Sequence, residues 1–326
     1  MDWNGLELQT ELADLYNDDR PATLLKISKF IRKAEIEIAK AHTWPNLRVK
    51  GQKILTAGAE EVTLYIDPPS APAVALAADG SLEAGIVYSV LVTFYETDGL
   101  IPVESKKGTV STSLTTTSIN KKIQLTGIPV STDPLVTKRR IYLKKGSGKY
   151  KLERTIDDNI TTTVTISDDT TSEIQPPENH NVQKLDGKPF IENEWQLKSM
   201  SPQQLRLEFE DSYEENQGTP EYYAALSYDK LLVYPTSSGS KTLSFYYFKR
   251  PRGIYPDAES IPEIQPELSE VLEAFVEWKS FQFKDRSGRI AARNYYDYAL
   301  TEAISKYGKA DKNSNTIRDV TGSNFE

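Results

Sequence analysis

The sequence predicts an α+β protein in which a helical domain with a small β-sheet is interrupted by an inserted β-sandwich. Three observations predict it. Apolar residues recur every three to four positions near both ends of the chain, which is helical spacing. Between roughly Pro68 and His180 they alternate with polar residues, as in Ile160-Thr161-Thr162-Thr163-Val164-Thr165-Ile166, the period-2 pattern of a half-buried antiparallel strand. Proline pairs, Pro68-Pro69 and Pro176-Pro177, stand where the period changes. A nested module needs its own ends close together, so that the surrounding fold closes around it. The expected parts are therefore a discontinuous domain, 1–67 with 181–308, an inserted sandwich, 68–180, and an extended tail, 309–326.

In chain order, Leu6 to Asp18 reads as a short amphipathic helix with Leu8, Leu12 and Leu15 on one face, broken by Asn17-Asp18-Asp19-Arg20-Pro21. From Pro21 to about His42, a longer helix sets Leu24, Ile27, Ile31, Ala34, Ile38 and Ala41 along one seam. Lys26, Lys29, Arg32, Lys33, Glu37 and Lys40 fall largely off it. Trp44-Pro45 ends this helix, because the residue before proline is pushed out of the α region. Gln52 to Ile66 then reads as a β-hairpin turned at Ala57-Gly58.

Inside the insert, strands are expected over Gly85–Tyr95, Lys122–Thr126, Arg139–Lys144, Tyr150–Ile156 and Ile160–Ile166. Asp79-Gly80, Asp98-Gly99 and Gly146-Ser147-Gly148 supply turns. About seven short strands at this spacing favour two packed sheets over a barrel. Further strands follow around Val182 to Leu185, Pro189 to Leu197, Ala224 to Tyr234 and Lys241 to Phe248, with an acidic helix or loop over Pro202 to Glu215. Two helices come last. One opens at Pro266, a favoured first helical position, and carries Leu268, Val271, Leu272, Phe275, Val276 and Trp278. The other runs from Gly288 to Tyr307 with Ala292, Tyr296, Ala299, Leu300, Ala303 and Tyr307 near one face. Beyond Gly308 the chain is polar and aperiodic, and is expected to be extended or disordered until it meets a partner.

Composition excludes several classes of function. The chain has no cysteine, so disulfides, thiolate nucleophiles and the usual structural zinc sites are ruled out. No apolar run approaches the ~20 residues that span a bilayer, and neither membrane contact nor a secretory signal is expected. With 47 acidic and 39 basic residues the net charge is −8, which argues against general affinity for nucleic-acid phosphates. The insert is close to neutral, so the helical part carries nearly all of this excess. Tyrosine (18) outnumbers phenylalanine (10) and tryptophan (4), a bias of half-wet surfaces that points to contacts with partners or with copies of the chain.

No catalytic, cofactor-binding or metal-ligating residue is assigned, and the chain is not expected to be an enzyme. His42 at a helix end beside Trp44 reads as a capping or packing residue, and His180 between two asparagines as a solvated linker residue. Lys145-Gly146-Ser147-Gly148-Lys149 lacks the spacing and the following helix of a phosphate loop and reads as a hairpin turn. Asp157-Asp158-Asn159 and Asp168-Asp169 lack a calcium loop around them and read as turns. Lys138-Arg139-Arg140 is the one compact basic run. Continuing into Ile141-Tyr142-Leu143, it reads as the start of a strand with an arginine stem on the sheet, against polynucleotide binding as the other reading. Glu208, Glu210, Asp211, Glu214 and Glu215 read as a solvated face that in a ring becomes a candidate channel lining.

A set of ordered motifs resembles the adaptor, or connector, proteins of short-tailed bacteriophages, which form the ring between portal and tail. They are Ala39-Lys40-Ala41-His42-Thr43-Trp44 with Leu47; Trp195-Gln196-Leu197 with Ser201-Pro202; Gly218-Thr219-Pro220-Glu221-Tyr222-Tyr223; Leu231-Leu232-Val233-Tyr234-Pro235; Phe245-Tyr246-Tyr247 before Arg250-Pro251; and Ile261-Pro262-Glu263. Together they span about two thirds of the chain. The insert separately resembles the immunoglobulin- or fibronectin-III-like domains of phage tail proteins, through Tyr88, Thr97-Asp98-Gly99, Gln124-Leu125-Thr126-Gly127-Ile128-Pro129, Lys138-Arg139-Arg140-Ile141-Tyr142 and Asp158-Asn159.

The resemblance implies a structural virion protein at the head-to-tail interface, assembled in the bacterial cytoplasm into a dodecameric homo-oligomeric ring. It implies a portal protein and a tail tube or nozzle protein as partners, and double-stranded DNA passing through the channel without specific binding. Twelve copies at −8 carry about −96 charges, and carboxylates facing a duplex repel its phosphates. The tail, with Lys309, Asn313, Ile317, Arg318, Val320 and Phe325, is the candidate portal contact, and the insert is expected on the outside of the ring. A reading from another class, a carbohydrate- or surface-binding adhesin module, draws on the sandwich and on tyrosines that stack on sugars. A carboxylate-pair glycosidase has less support, because no two acids are marked by their surroundings.

Overall fold

The computed structural model describes residues 4–15, 20–96, 103–192, 194–209, 216–258, 260–284 and 288–307. It is an α+β chain, as the two periods predict. Its helices among the described residues are α1 (Gly5–Leu15), α2 (Pro21–Ala41), α3 (Pro202–Phe209), α4 (Ser269–Lys284) and α5 (Arg289–Tyr307). The chain divides into two compact units, a helical one of Met1–Arg48 with Phe248–Glu326, and a β one of Val49–Tyr247. The second takes in both the 68–180 segment and the strands on either side of it.

In the helical unit, α1 begins with a reciprocal cap. Asn4 Oδ1 accepts from the N–H groups of Leu6 (3.1 Å) and Glu7 (2.9 Å), and Glu7 Oε2 accepts from Asn4 N–H (3.2 Å), so donors that lack helical partners are satisfied from both sides. The helix docks on α2 through Gln9, whose Nε2 donates to Leu24 O (2.8 Å) and Ser28 Oγ (2.6 Å). Pro21 opens α2 with its φ already helical. The seam buries Ile27, Ile31, Ala34 and Ile38, as the spacing predicts, while Leu24 near its start is half-buried and Ala41 at its end is exposed. His42 leaves the helix in extended backbone and rests edge-on against Trp44 with ring centroids 5.3 Å apart. Trp44 is fully buried and its indole N–H donates to Ile38 O at 2.8 Å.

A single 3-10 turn, Pro266–Leu268, leads into α4, which buries Val271, Leu272, Phe275 and Val276. The buried stripe of α5 is Ala292, Ala299 and Ala303, small residues that let the two helix backbones approach, with Tyr296 among them. Phe275, Trp278 and Tyr296 close this contact with mutual ring centroids 5.3–5.6 Å apart.

The strands are, in order, β1 (Arg48–Leu55), β2 (Glu61–Thr63), β3 (Ala73–Ala77), β4 (Val87–Glu96), β5 (Val103–Glu104), β6 (Leu114–Thr115), β7 (Lys122–Thr126), β8 (Lys138–Lys145), β9 (Tyr150–Ile156), β10 (Val164–Ile166), β11 (Val182–Ile191), β12 (Lys198–Ser199), β13 (Gln217–Gly218), β14 (Tyr222–Ser227), β15 (Lys230–Tyr234), β16 (Thr236–Ser237) and β17 (Lys241–Lys249). Strands β3 to β10 make two antiparallel sheets. One has the order β10-β7-β3; the other has the order β5-β4-β8-β9, with β6 also on β4. Both contribute to one core that includes Tyr88, Val90, Val92, Ile123, Leu125, Ile141, Leu143, Ile156 and Ile166. The remaining strands form sheets β1-β17-β11 and β12-β14-β15-β2 and the small pair β13-β16.

Four local expectations are corrected. Gln52–Ile66 is not a hairpin: the chain does turn at Ala57-Gly58, but β1 pairs with β17 and β2 with β15. The turn residues encode a reversal without encoding a partner. Gly51 on β1 lies so close to Phe245 on β17 that a Cβ there would sit 2.4 Å from the ring, a contact far along the chain that fixes the pairing. The threonine-rich strand shrinks from Ile160–Ile166 to β10. Asp158 caps the preceding turn through the N–H groups of Ile160 (2.9 Å) and Thr161 (2.8 Å) and leaves Ile160 79% exposed. Ala224–Tyr234 is two strands, β14 and β15, reversed at Tyr228-Asp229 with Ser227 opposite Lys230. The strands expected at Val182–Leu185 and Pro189–Leu197 are the single β11, after which Gln196 bridges back to Phe190.

Candidate functional site

The acidic run begins on α3. Ser201 caps this helix, its Oγ accepting from Gln204 N–H (3.1 Å) while Gln204 Oε1 accepts from Ser201 N–H (3.2 Å). Leu205 is buried with Ala224, Leu232 and Tyr234, and Phe209 stacks on Tyr234 with ring centroids 3.9 Å apart. With that face committed to the sheet, Glu208 points to solvent beside the exposed Leu207. Glu210, Asp211, Glu214 and Glu215 lie outside the described residues, as do Lys309, Asn313, Ile317, Arg318, Val320 and Phe325.

The basic run Lys138-Arg139-Arg140 is consumed inside the β unit. Arg139 is buried and donates to Asp158 O (3.2 Å), Pro129 O (3.0 Å) and Asp158 Oδ1 (2.9 Å). Arg140 donates to Glu104 Oε2 (3.1 Å), and its guanidinium lies 3.8 Å from the Tyr95 ring centre. The other oxygen of Glu104 accepts from Thr93 and Tyr142 hydroxyls, both at 2.6 Å. A buried carboxylate is tolerable here because a cation and two hydroxyls surround it. These donors are aimed inward, so the run does not present a phosphate-binding stripe. Lys145 at the β8–β9 turn pairs with Glu83 (2.8 Å) and Asp169, and Lys138 with Asp157 (2.7 Å), so the turn acids serve as ion-pair partners. Among the described residues, no group of three or more His, Asp and Glu side chains is arranged to hold a metal ion. No helix among them is long and apolar enough to cross a membrane.

His180 is a further correction, since it is not a solvated linker residue. Its ring lies parallel to Tyr65 at 4.7 Å and tilted against Tyr228 at 5.5 Å, and its Nε2 is 3.0 Å from Asp229 Oδ2. The end of the 68–180 segment is thus held against the β14–β15 turn. No local pattern announced this, because both tyrosines are remote in sequence.

The helical unit holds a polar cluster that the sequence reading missed. Glu35 sits inside the apolar seam, four residues after Ile31 and three before Ile38, and is 1% exposed. Its Oε1 accepts from the backbone N–H groups of Glu263 and Ile264. Glu263 in turn meets the buried Lys249, Oε1 to Nζ 3.0 Å, and accepts from Arg252 N–H at 3.3 Å. Burial, then the charge of Glu263, raises the Glu35 carboxyl to about 8; the two backbone donors and Lys249 pull the other way. At neutral pH Glu35 therefore carries a proton. The cluster pins the segment before α4 to α2, together with Arg32, whose guanidinium stacks 4.5 Å from the Tyr255 ring centre. A charged residue in register with a helical seam was the available signal.

Compared with protein-family models and with curated protein sequences, the chain matches none.

Proposed function

We propose that this chain is a non-enzymatic structural subunit of a tailed-bacteriophage virion: an adaptor that assembles into a ring between portal and tail, around a channel for DNA. In this reading the helical unit and its neighbouring strands are the adaptor domain, and the two packed sheets of 68–180 are an inserted immunoglobulin- or fibronectin-like domain. The observation that carries it is that residues of several motifs resembling adaptors have an internal structural task. Trp44 anchors the end of α2, Ser201 caps α3, the Trp195 indole N–H donates to Pro220 O (3.0 Å), Phe245 packs on Gly51, and Glu263 joins Glu35 to Lys249. A second support is the fate of the buried ionisable groups. Glu35, Glu104, Arg139 and Arg140 spend their hydrogen bonds on backbone, hydroxyl or ion-pair partners within the protein, as architectural charges do.

The test is direct. Mass spectrometry of purified virions should detect the chain, and electron microscopy of the chain with its portal should show a ring at the portal's outer end, with 68–180 away from the axis. Absence of the chain from particles, or turnover of a substrate by the purified protein, would refute the reading.

A further inference from the structure

We propose that the helical unit binds a second copy of this chain head-to-tail, the basic flank of one copy resting on the acidic flank of the next. This deepens the adaptor reading and rests on it for closure of the contacts into a ring. Its own basis is where helical periodicity puts charge.

Helix α5 shows the division most clearly. At about 100° per residue, its buried stripe of Ala292, Tyr296, Ala299 and Ala303 leaves Arg289 and Arg293 on one side, with Asp297 3.7 Å from Arg293, and Tyr295 and Glu302 on the other, with Lys306 near them. Helix α4 repeats it: Glu270, Glu273 and Glu277 share one stripe, and Lys279 falls on the opposite side. Side-chain contacts join the stripes into flanks. Tyr295 donates to Glu270 Oε1 at 2.7 Å on the acidic one. On the basic one, Lys279 Nζ lies 3.2 Å from a Trp278 ring centre that also faces the Arg293 guanidinium at 5.7 Å. Lys33 extends the basic flank onto the exposed face of α2, which also carries Lys26, Lys29 and Lys40 and includes Glu37. Glu11 extends the acidic flank onto α1.

Each flank crowds like charges around one half-buried group, with Glu37 and Asp297 the opposing charges on the basic side and Lys306 on the acidic side. Burial and then the nearby Lys33 and Arg289 push the Lys279 ammonium down, while burial and then Glu11 and Glu270 push the Glu273 carboxyl up. Setting the flanks of two copies together supplies each with counter-charge and relieves both repulsions at once. Each flank also has an apolar anchor left in water: Leu25, 74% exposed, on the basic side and Tyr298, 64% exposed, on the acidic side. A contact between two different patches of the same molecule is heterologous, and such contacts propagate into rings or filaments.

Sedimentation velocity of the full chain at low and high salt tests the proposal. The wild type should associate at low salt and dissociate as salt screens the flanks. Lys33→Glu with Arg293→Glu, and separately Glu11→Lys with Glu270→Lys, should each weaken association by at least about tenfold, and an equimolar mixture of the two variants should restore it. Circular dichroism establishes that each variant folds, and the single exposed change Lys29→Glu stands in should a double variant fail to. Wild-type sedimentation independent of salt and concentration, association indifferent to the reversals, or a mixture that stays dissociated would each overturn the proposal. Those failures leave the adaptor reading intact if the chain is found in virions; association without a place in virions would sink that reading alone.

Discussion

The two units bury charge in opposite ways. In the β unit three buried charges have an opposite charge beside them: Glu104 meets Arg140, and Arg139 meets the more exposed Asp158, each with further hydrogen-bond partners. In the helical unit the interior holds two carboxyls and one ammonium, Glu35, Glu263 and Lys249, and neutrality requires a proton. Glu104 and Arg140 lie on β5 and β8, which both pair with β4, so register brings them together, and Asp158 reaches Arg139 from the loop after β9. The carboxyl pair lies between α2 and the irregular segment before α4, where no ladder supplies a partner and side chains must bond the backbone themselves. The matched charges of the β unit hold partners to one another, and the extra proton on Glu35 ties the stability of the helical unit to pH in a window above the ordinary carboxylate range.

The sharpest way to break this contrast is Glu104→Ala. It leaves the Arg140 guanidinium buried without its carboxylate and strips two hydroxyls of their acceptor, a class of change that costs about 3–5 kcal/mol. Denaturant unfolding, read through amide exchange in β4 and β8, should show that loss. A cost below about 1 kcal/mol would mean that Arg140 finds solvent and that the pair is not part of the interior.

How much of this was legible in the sequence differs between the units for physical reasons. The helices were readable because a 3.6-residue period is local: the seam from Ile27 to Ile38, the Pro266 start and Ala292, Tyr296, Ala299 and Ala303 of α5 fall where spacing put them, with Leu300 and Tyr307 only half-buried. In the β unit the strands β7 and β9 were found in full, but pairing is set by contacts far apart in sequence, so β1 and β2 looked like partners and are not. Asp158 cut the threonine strand short through side-chain bonds that a period-2 count does not see. Among the candidate residues, only Glu208 of the acidic run falls in the described structure, on the outer face of α3 where an amphipathic helix puts it. Glu35 and His180 were missed in opposite ways. Glu35 stood in register with an apolar seam and was overlooked; His180 takes its setting from Tyr65 and Tyr228, which no local window contains.

The next effect is smaller and concerns pH. The folded state holds the Glu35 proton to about 8, whereas an unfolded chain releases it near the ordinary carboxylate value of 4.5. Between those values the native state binds the extra proton, so the stability of the helical unit is fullest below the lower one and falls as pH rises through the window. Glu35→Gln keeps an acceptor for the N–H groups of Glu263 and Ile264 and removes the titration. Melting temperature should decline from pH about 5 to about 8 in the wild type and stay flatter in the variant. Equal slopes in the two proteins would show that Glu35 is ionised throughout and that Lys249 balances both carboxyls.

The smallest effect belongs to α3. Ser201→Ala removes an acceptor from the first turn and leaves the Gln204 N–H without its partner, a loss of about 1 kcal/mol for a cap. Because Leu205 and Phe209 remain packed on Ala224, Leu232 and Tyr234, the helix should fray at its first turn without leaving the sheet. Amide exchange should therefore quicken at Gln203 and Gln204 with β14 and β15 unchanged. Faster exchange in those strands as well would mean that the cap, more than the aromatic stack, holds α3 in place and with it the outward aim of Glu208.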